Sequence, residues 1–490
     1  MKKGNKMDKK SKQYYIGAAV MFLFSFLLPS FVSPWAEGIT DAGVTIVLIF
    51  VGTIIGLIAT NDCILAALFS MCALVYSGIF EPAGVIGAFI GNPMVWQVMT
   101  LFALSYVIVR DGTGETIARF ILTRKGFQKR PLLIIAVLMI TMATAAVFVG
   151  VFGALIICFV LLKSICKEAD IDPNSQFGRL LYLGCFTSAC VGVNIMGKMN
   201  ALHWATAQFF IDGTGVDIPP YAFSLYSLIL LVVFIFVYIL SMKFIFRCDM
   251  NKLSGVDLIQ VLGTDNTKPS RKQLIPLLAF LLIAVYTFFY GFIPENLPVI
   301  SGLKGMENIV FGCAVMAVLA LVRVDGERIF DLNEAFTKGI NWPICLAIGS
   351  LATLGGQLLA DDYGIKGWLV GELGSTITAS SPLVLLGIAI VLSTVLTNFF
   401  SNTATMYIMS ALVASLCMPF LDAGYNIIVF PVAISTSAQM AYLTFASSGQ
   451  ATLLLSEKNI TNKFIWSSGL LVLGLWMVSA FVTSSILLML

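Results

Sequence analysis

The residues Ser401-Asn402-Thr403-Ala404-Thr405 form a short polar stretch between two long apolar runs. The run before it is PLVLLGIAIVLSTVLTNFF (Pro382 to Phe400), and the run after it is MYIMSALVASLCMPF (Met406 to Phe420). In membrane hydrocarbon each unpaired polar group costs several kcal/mol, so such an interruption is tolerated only where it lies against protein or water. The stretch 382–420 is too long for one crossing and just long enough to enter and return. It therefore predicts a re-entrant hairpin with the polar residues at its tip.

The composition is that of a membrane protein. Of the 490 residues 59% are hydrophobic and only 11% are charged, and the mean hydropathy is +0.95. A soluble protein would carry about 25% charged residues. The net charge is only +3 and the basic residues are not interleaved with aromatic ones, so we expect the lipid bilayer and no nucleic acid as a partner. Most of the ten cysteines fall inside apolar windows, which indicates small buried side chains, and the absence of CxxC pairs argues against a disulfide framework or a metal site.

Apolar windows long enough to cross about 30 Å of hydrocarbon recur along almost the whole chain. Treating the two longest, 131–167 and 382–420, as re-entrant hairpins predicts an all-α polytopic protein with eleven transmembrane helices. The first window follows a basic head, like a signal peptide, but it is long and has no A-x-A cleavage site, so we expect it to be retained. The windows are 14–34, 43–60, 62–80, 94–122, 131–167, 176–211, 221–247, 274–294, 306–323, 341–374, 382–420, 426–456 and 464–489.

The distribution of Lys and Arg supports this topology. With the N-terminus cytoplasmic and the C-terminus outside, 26 of the 29 basic residues fall on the inner side, and Lys198, Lys304 and Lys366 do not. The positive-inside rule demands such a bias of a protein that is integral to the plasma (inner) membrane. The segment 382–420 carries no basic residue.

The second half of the chain repeats the asparagine and proline positions of the first half at an offset of about 250 residues. Asn92-Pro93 corresponds to Asn341-Trp342-Pro343, and Pro131 corresponds to Pro382. An odd number of spans separates the copies, which predicts an inverted-topology repeat, as in many secondary transporters. Chance similarity between apolar windows is the alternative. The predicted divisions are a basic cytoplasmic tail (1–13), an extra span (14–34), the first repeat (35–247), a cytoplasmic linker (248–272) and the second repeat (273–490).

The polar tip of the second hairpin supplies the first candidate binding groups. Ser401, Asn402 and Thr403 offer hydroxyl and amide groups to a small anionic solute, and the helix that starts there would present its positive end to an anion. Hydroxyl and carbonyl oxygens also suit a hard cation, so Ser401, Asn402, Thr405 and Ser447 are candidate ligands of Na⁺. The structural alternative is a kinked helix whose hydroxyls bond to its own backbone.

A pair of interruptions in the later spans of each half supplies the second group of candidates. The first runs from Gly192 to Asn200, and the second is Ser447-Ser448-Gly449-Gln450. Paired breaks in corresponding positions indicate a binding site at the interface between the repeats. The candidate solute-binding residues from these breaks are Lys198, Asn200, Ser448, Gly449 and Gln450.

Lys198 is the unusual residue of this set, because no acidic residue lies deep in any predicted span to neutralise it. A charge at that depth costs at least about 2.5–3.5 kcal/mol. Lys198 would offset the negative charge of a solute or replace a bound cation; the alternative is a lysine that snorkels from a helix end. The single histidine, His203, could relay a proton, although a satisfied interior histidine is the ordinary interpretation.

Missing motifs exclude several functions. The chain has no GxxxxGK[ST] phosphate loop, no HExxH and no GxSxG, so neither ATP-driven transport nor a membrane enzyme is expected. No cofactor is expected other than Na⁺. The prediction is a secondary active transporter, and a membrane scaffold or receptor that has lost transport is the alternative from a different class.

The chain resembles a known family. SNTAT at the hairpin tip, the preceding stretch NWPICLAIGSLATLGGQLLADDYGIKGWLVGEL and the two halves resemble the divalent-anion/sodium symporter family of the ion transporter superfamily. The resemblance covers nearly the whole chain and is strongest from about Asn341 to Ala411. It implies a homodimer and an elevator mechanism, in which the hairpins slide against a fixed scaffold. It also implies a dicarboxylate, citrate or sulfate as solute, with Na⁺ bound beside it.

The sequence departs from the family pattern at one of the two Na⁺ sites. The family places Ser-Asn-Thr at both hairpin tips, but the first tip here reads Phe148-Val149-Gly150-Val151-Phe152-Gly153. Gly197-Lys198-Met199-Asn200 and Ser447-Ser448-Gly449-Gln450 replace the Pro-containing breaks of the family. Our hypothesis is that Lys198 takes over the electrostatic role of the missing ion, so that transport of small carboxylates is cation-coupled or an exchange. A neutral or amino-acid-like solute carried by the same architecture is the second prediction.

Overall fold

The computed structural model describes residues 9–60, 62–122, 130–256, 269–289, 302, 305–365, 367–368, 381–399, 402–444 and 447–490. Within these residues the chain forms twenty α-helices and one short β-hairpin. In chain order the helices are α1 (Lys9–Phe22), α2 (Asp41–Thr60), α3 (Cys63–Tyr76), α4 (Pro82–Ile90), α5 (Pro93–Arg110), α6 (Thr113–Leu122), α7 (Pro131–Glu168), α8 (Gln176–Gly192), α9 (Ala201–Thr214), α10 (Pro220–Phe244), α11 (Arg271–Phe289), α12 (Glu307–Leu321), α13 (Leu332–Glu334), α14 (Trp342–Leu359), α15 (Pro382–Thr397), α16 (Asn402–Asp422), α17 (Val429–Ala438), α18 (Gly449–Ser456), α19 (Asn462–Phe464) and α20 (Leu470–Leu488). The strands are β1 (Arg323–Val324) and β2 (Glu327–Arg328), which pair antiparallel.

Helix boundaries follow from local sequence signals. Asp62 caps α3 by accepting a hydrogen bond from the Leu65 amide (3.0 Å), and Asn341 caps α14 through the Ile344 amide (3.3 Å). Proline occupies the first position of α5, α7 and α15, where its missing N–H would have no helical partner. The residues that predict the repeat therefore also begin the helices.

The described helices confirm a mostly helical, polytopic protein. Four helical stretches are each long and apolar enough to span a membrane, and the number rises to seven if three bent helix pairs are counted as one span each. Further apolar helices of 10–17 residues lie among the described residues. The arrangement of eleven crossings and two re-entrant hairpins stays a prediction.

The predicted first hairpin is the 38-residue apolar helix α7, which is broken at Gly150. The backbone of Gly150 has φ 73° and ψ 165°, angles outside the helical region that glycine adopts without steric cost. This break falls within 148–153, the predicted tip. α7 packs along α8, where the rings of Phe159 and Tyr182 lie 5.4 Å apart. The break is observed, and the return of the chain to the same membrane face stays a prediction.

The predicted second hairpin comprises α15 and α16, which pack against each other. α15 ends at Thr397 and α16 begins at Asn402, so the helix is interrupted where the polar stretch predicts it. Ser401, a candidate ligand, lies outside the described residues.

Bent helix pairs recur at corresponding places in the two halves. α4 and α5 meet at 41°, and the helical stretch Leu332–Gly339, which begins with α13, meets α14 at 70°. These units contact each other reciprocally: a Cβ at Gly349 of α14 would overlap the Phe89 carbonyl oxygen of α4, and a Cβ at Gly339 would lie 2.7 Å from Tyr106 Cβ of α5. The backbones approach closely at Gly349, and at Gly339 the Tyr106 side chain leaves no room for a Cβ, so both positions favour glycine.

A second pair of contacts shows the same reciprocity. The hydroxyl groups of Ser70 in α3 and Ser350 in α14 are hydrogen-bonded at 2.7 Å. In a second contact between the halves, the Thr100 hydroxyl of α5 lies 3.8 Å from the Cys313 sulfur of α12. A contact between residues i and j that recurs between their counterparts in exchanged order is characteristic of a two-fold relation. These contacts fit the predicted repeat, and the inverted-topology repeat itself stays a prediction.

Candidate functional site

The second interruption lies between α17 and α18 and is held in place by Asn398, a residue that the sequence analysis did not single out. The Asn398 side chain is fully buried. It donates hydrogen bonds to the carbonyl oxygens of Thr394 and Met440 (both 2.8 Å), and it accepts bonds from the amides of Tyr442 (2.9 Å) and Leu443 (2.8 Å). These bonds satisfy backbone groups that the break in the helix exposes. Asn398 thus fixes the non-helical stretch against the end of α15.

The first interruption joins α8 to α9 through a 3₁₀ segment, Val193–Met199. Gly197 within it has φ 50° and ψ −126°, and a Cβ there would lie 2.5 Å from the Ser224 hydroxyl of α10. Asn194 is fully buried and bonds to the carbonyl oxygens of Cys190 (3.3 Å) and Val191 (3.2 Å). It also accepts a hydrogen bond from Ser435 of α17 (2.6 Å). The two interruptions therefore belong to neighbouring helices from different halves.

The start of α16 and the start of α9 meet at a shared polar residue, Gln439. The Asn402 side chain donates to the Gln439 side chain at 3.5 Å, and His203 in the first turn of α9 interacts with the same Gln439. Further along both helices, the rings of Phe209 and Tyr407 lie 5.2 Å apart. The first turns of the two helices meet at Gln439, and later residues of each helix, Phe209 and Tyr407, contact each other. The two helices α9 and α16 therefore run side by side in the same direction.

This arrangement places two helix N-termini next to each other. The first amides of a helix have no intrahelical partner, and the helix dipole adds about half a positive charge at that end. The Asn200 side chain, which precedes α9, makes no capping hydrogen bond to it, and the Asn402 side chain bonds to the amide of Thr403 (2.9 Å). Two adjacent N-termini form a positive region that suits an anion.

Lys198 lies three residues before α9 and adds a full positive charge to this end. It is partly buried, and its ammonium nitrogen lies 5.8 Å from the centre of the Trp204 ring. The Gln97 side chain of α5 donates a hydrogen bond to the Lys198 carbonyl oxygen. The backbone of Lys198 is thus fixed by the first half of the protein, and its side chain lies beside α9.

The remaining candidates at the tip of the second hairpin lie in the first turn of α16. Asn402 is 8% exposed, Thr405 is 2% exposed, and Thr403 is partly buried. The candidate cation ligand Ser447 is also buried, and its hydroxyl donates to the Thr444 carbonyl oxygen (2.7 Å). A hydroxyl that donates one hydrogen bond still has lone pairs with which it can accept from a solute or bind a cation.

The candidates of the second interruption lie at the start of α18. Ser448 caps this helix by accepting a hydrogen bond from the Ala451 amide (3.0 Å), and it donates to the Ala441 carbonyl oxygen (3.3 Å). Gly449 and Gln450 form the first turn of α18, and Gln450 is partly buried. Ser448 therefore has a structural role at this site.

The burial of His203 agrees with an interior residue, and the satisfied histidine stays a prediction. The side chain is 3% exposed, and neither ring nitrogen makes a hydrogen bond of acceptable geometry to the described residues. Gln439, Ser435 and Asn398 were missed, although a glutamine and an asparagine inside apolar runs are themselves a signal of a buried polar contact.

A separate polar cavity of about 430 Å³ lies at the ends of α5 and α11. Its charges are paired: Arg110 contacts Asp111 at 2.9 Å and Glu334 at 3.0 Å. The hydrogen bond from Lys272 holds the pKa of the Glu327 carboxyl below its usual value. Since four acidic residues outnumber three basic ones in its lining, this cavity has no excess positive charge for an anion. The residues that line it are Arg110, Asp111, Lys272, Glu327, Arg328, Ile329, Asp331 and Glu334.

Comparison with known proteins identifies the family. Residues 55–439 match the family model CitMHS, which is described as a citrate transporter. The chain belongs to this family. This membership confirms the ion transporter superfamily that the sequence resembles.

Two curated relatives are similar over part of the chain. The uncharacterized transporter YfbS of Escherichia coli (strain K12) is 32% identical over 154 residues, which are 30% of this chain and 23% of that protein. The uncharacterized transporter MJ0672 of Methanocaldococcus jannaschii is 22% identical over 299 residues, 60% of each protein. The matched part of this chain thus spans less than two thirds of either relative.

A solved structure shares the fold. MtrF of Neisseria gonorrhoeae, whose structure is described as illuminating a class of antimetabolite efflux pumps, matches with a TM-score of 0.54. The alignment covers 99% of this chain and 96% of that chain at 11% sequence identity. At this identity the likeness concerns the fold alone.

Proposed function

We propose that the protein is a secondary active transporter of small carboxylates. The observation that carries this proposal is the pair of adjacent helix N-termini, those of α9 and α16, with Lys198 next to one of them. Positive helix ends and an ammonium group together stabilise a carboxylate, and the groups come from both halves of the chain. The family description, citrate transporter, is consistent with such a solute.

The proposal includes a mechanism. A solute held between the two halves would cross the membrane when the hairpins and their neighbouring helices move relative to the rest, as in an elevator, within a homodimer and with inverted repeats. The paired interruptions and the reciprocal contacts of the halves support this mechanism. Coupling would use Na⁺ at Asn402, Thr405 and Ser447, or transport would be an exchange in which Lys198 replaces one cation.

Uptake into proteoliposomes tests the proposed solute class. Purified protein should accumulate labelled malate or citrate in a saturable manner, and an inward Na⁺ gradient or a preloaded carboxylate should stimulate uptake. Lys198→Met should lose uptake, while Ser70→Ala, a change of a buried hydroxyl that bonds to Ser350 and to none of the candidate residues, should retain it. Accumulation of a neutral solute or a zwitterionic amino acid, without any carboxylate uptake, would contradict the proposal and favour the second prediction.

A further inference from the structure

His203 and Gln439 are two buried polar residues whose hydrogen-bonding capacity is poorly used. Gln439 is 2% exposed, and it has a bond from Asn402 at 3.5 Å, a contact to the Met406 sulfur at 3.8 Å and an interaction with His203. Both distances lie at the limit of a hydrogen bond. His203 is 3% exposed, and its nitrogens lack well-formed bonds to the described residues. A buried polar group that is left unsatisfied costs free energy, so this pair calls for an explanation.

Other buried amides nearby show that the chain can satisfy such groups. Asn398 makes four side-chain hydrogen bonds of 2.8 or 2.9 Å, and Asn194 makes three bonds of 2.6 to 3.3 Å. Both residues are fully buried, as are their partners in the two interruptions. The contrast separates two classes of polar side chain: Asn398 and Asn194 hold the backbone, while His203 and Gln439 have donors and acceptors left for a ligand.

The position of the pair defines what such a ligand would meet. His203 lies in the first turn of α9 and Gln439 directly follows α17, so the pair lies at the two adjacent helix N-termini. A neutral imidazole has one donor and one acceptor, and an amide has both as well. A hydroxyl group also donates one hydrogen bond and accepts others. The pair is therefore complementary to a hydroxyl group rather than to a second full charge.

We propose that His203 and Gln439 are specificity-determining residues that bind a hydroxyl group next to the carboxylate of the solute. The inference rests on the proposed function and adds to it: the helix ends and Lys198 bind the charge, and the His203–Gln439 pair selects hydroxycarboxylates over acids that lack the hydroxyl. A site built to hydrogen-bond a solute hydroxyl discriminates strongly against the analogue without it, because its buried polar groups are then left unpaired.

Two matched pairs of acids test this inference: malate against succinate and citrate against tricarballylate, where each pair differs by one hydroxyl group. Dissociation constants are obtained from ligand-dependent thermal stabilisation of the purified protein. The wild type should bind the hydroxylated member at least about tenfold more tightly. In Gln439→Leu and His203→Phe this ratio should fall towards one, while affinity for the acid without the hydroxyl is kept or improved. Ser70→Ala serves as the control and should keep the wild-type ratio.

The possible results are distinguishable. Equal binding of both members by the wild type, or a ratio that the two substitutions leave unchanged, overturns the inference and leaves the proposed function standing. Equal loss of both acids in a folded variant also overturns it, since the residue would then act on the carboxylate or on the fold. Binding of neither acid by the folded wild type overturns the proposed function together with the inference. Elution of each variant as the wild-type species in size-exclusion chromatography establishes that it is folded.

Discussion

Replacing Asn398 with alanine should destabilise the protein far more than the same change at Asn402, four residues away. The Asn398 side chain is fully buried and makes four hydrogen bonds, which tie the end of α15 to the non-helical stretch after α17. Asn402 donates one long bond to Gln439 and otherwise bonds to its neighbour Thr403. The first residue therefore stabilises the fold, and the second is available to a solute.

The magnitude follows from the bonds that are lost. A hydrogen bond inside a membrane protein contributes about 0.6 kcal/mol on average, and one inside a soluble protein about 1 kcal/mol. Four bonds therefore predict a loss of about 2–4 kcal/mol for Asn398→Ala. Because the amides of Tyr442 and Leu443 would be left buried without these partners, we expect a value near the upper end. For Asn402→Ala we expect a loss below about 1 kcal/mol.

Heating of the purified protein in detergent, followed by size-exclusion chromatography, measures this difference. Large membrane proteins often unfold irreversibly, so the midpoints are compared at one heating protocol. Asn398→Ala should lose its folded peak at a clearly lower temperature than the wild type. Asn402→Ala should keep the wild-type midpoint but lose stabilisation by carboxylates. A wild-type midpoint for Asn398→Ala would refute the reasoning.

Three further predictions follow from single positions. Lys198→Met should weaken carboxylate binding about ten- to a hundredfold, because a hydrogen bond to a charged group contributes about 1.5–3 kcal/mol. Lys198→Arg keeps the positive charge and should retain most of the affinity. Titration of the purified protein measures both affinities, and an unchanged affinity in Lys198→Met would exclude the proposed role of the lysine. Gly349→Ala should lower the yield and the thermal midpoint, because the methyl group would overlap the Phe89 carbonyl oxygen. Gly356→Ala is the control in the same helix; it should resemble the wild type, because the space around its methyl group is open. Gly150→Val should reduce the yield or the uptake rate, since a β-branched residue is strained at φ 73°; full yield together with full uptake would contradict the break in α7.

The interruptions of the fold were accessible from the sequence, and the short helices were not. Glycine and small polar residues within apolar runs predict the breaks observed at Gly150, at Gly197 and before Asn402, because they destabilise a continuous helix in lipid. α4 and α13 fall outside all of the predicted windows, since helices of nine and three residues are shorter than any hydropathy window. Their place in the bent units depends on contacts between the halves, which a local pattern does not contain.

The site was predictable residue by residue but not as an arrangement. Lys198 and Asn402 stand out because a charge or an amide in an apolar run needs a reason. The role of Gln439 depends on the approach of α16 to α17 and of α9 to both, and no periodicity reveals which helices are neighbours. For the same reason the sequence could not separate Asn398, which holds the backbone, from Asn402.

The central claim is that polar interruptions from both halves enclose one small anion. A high-resolution map of the protein with bound malate tests it most directly. We expect solute density that contacts both the Lys198 ammonium group and the first turn of α16 at Asn402. Density that touches residues of only one half, or that lies away from both of these groups, would contradict it.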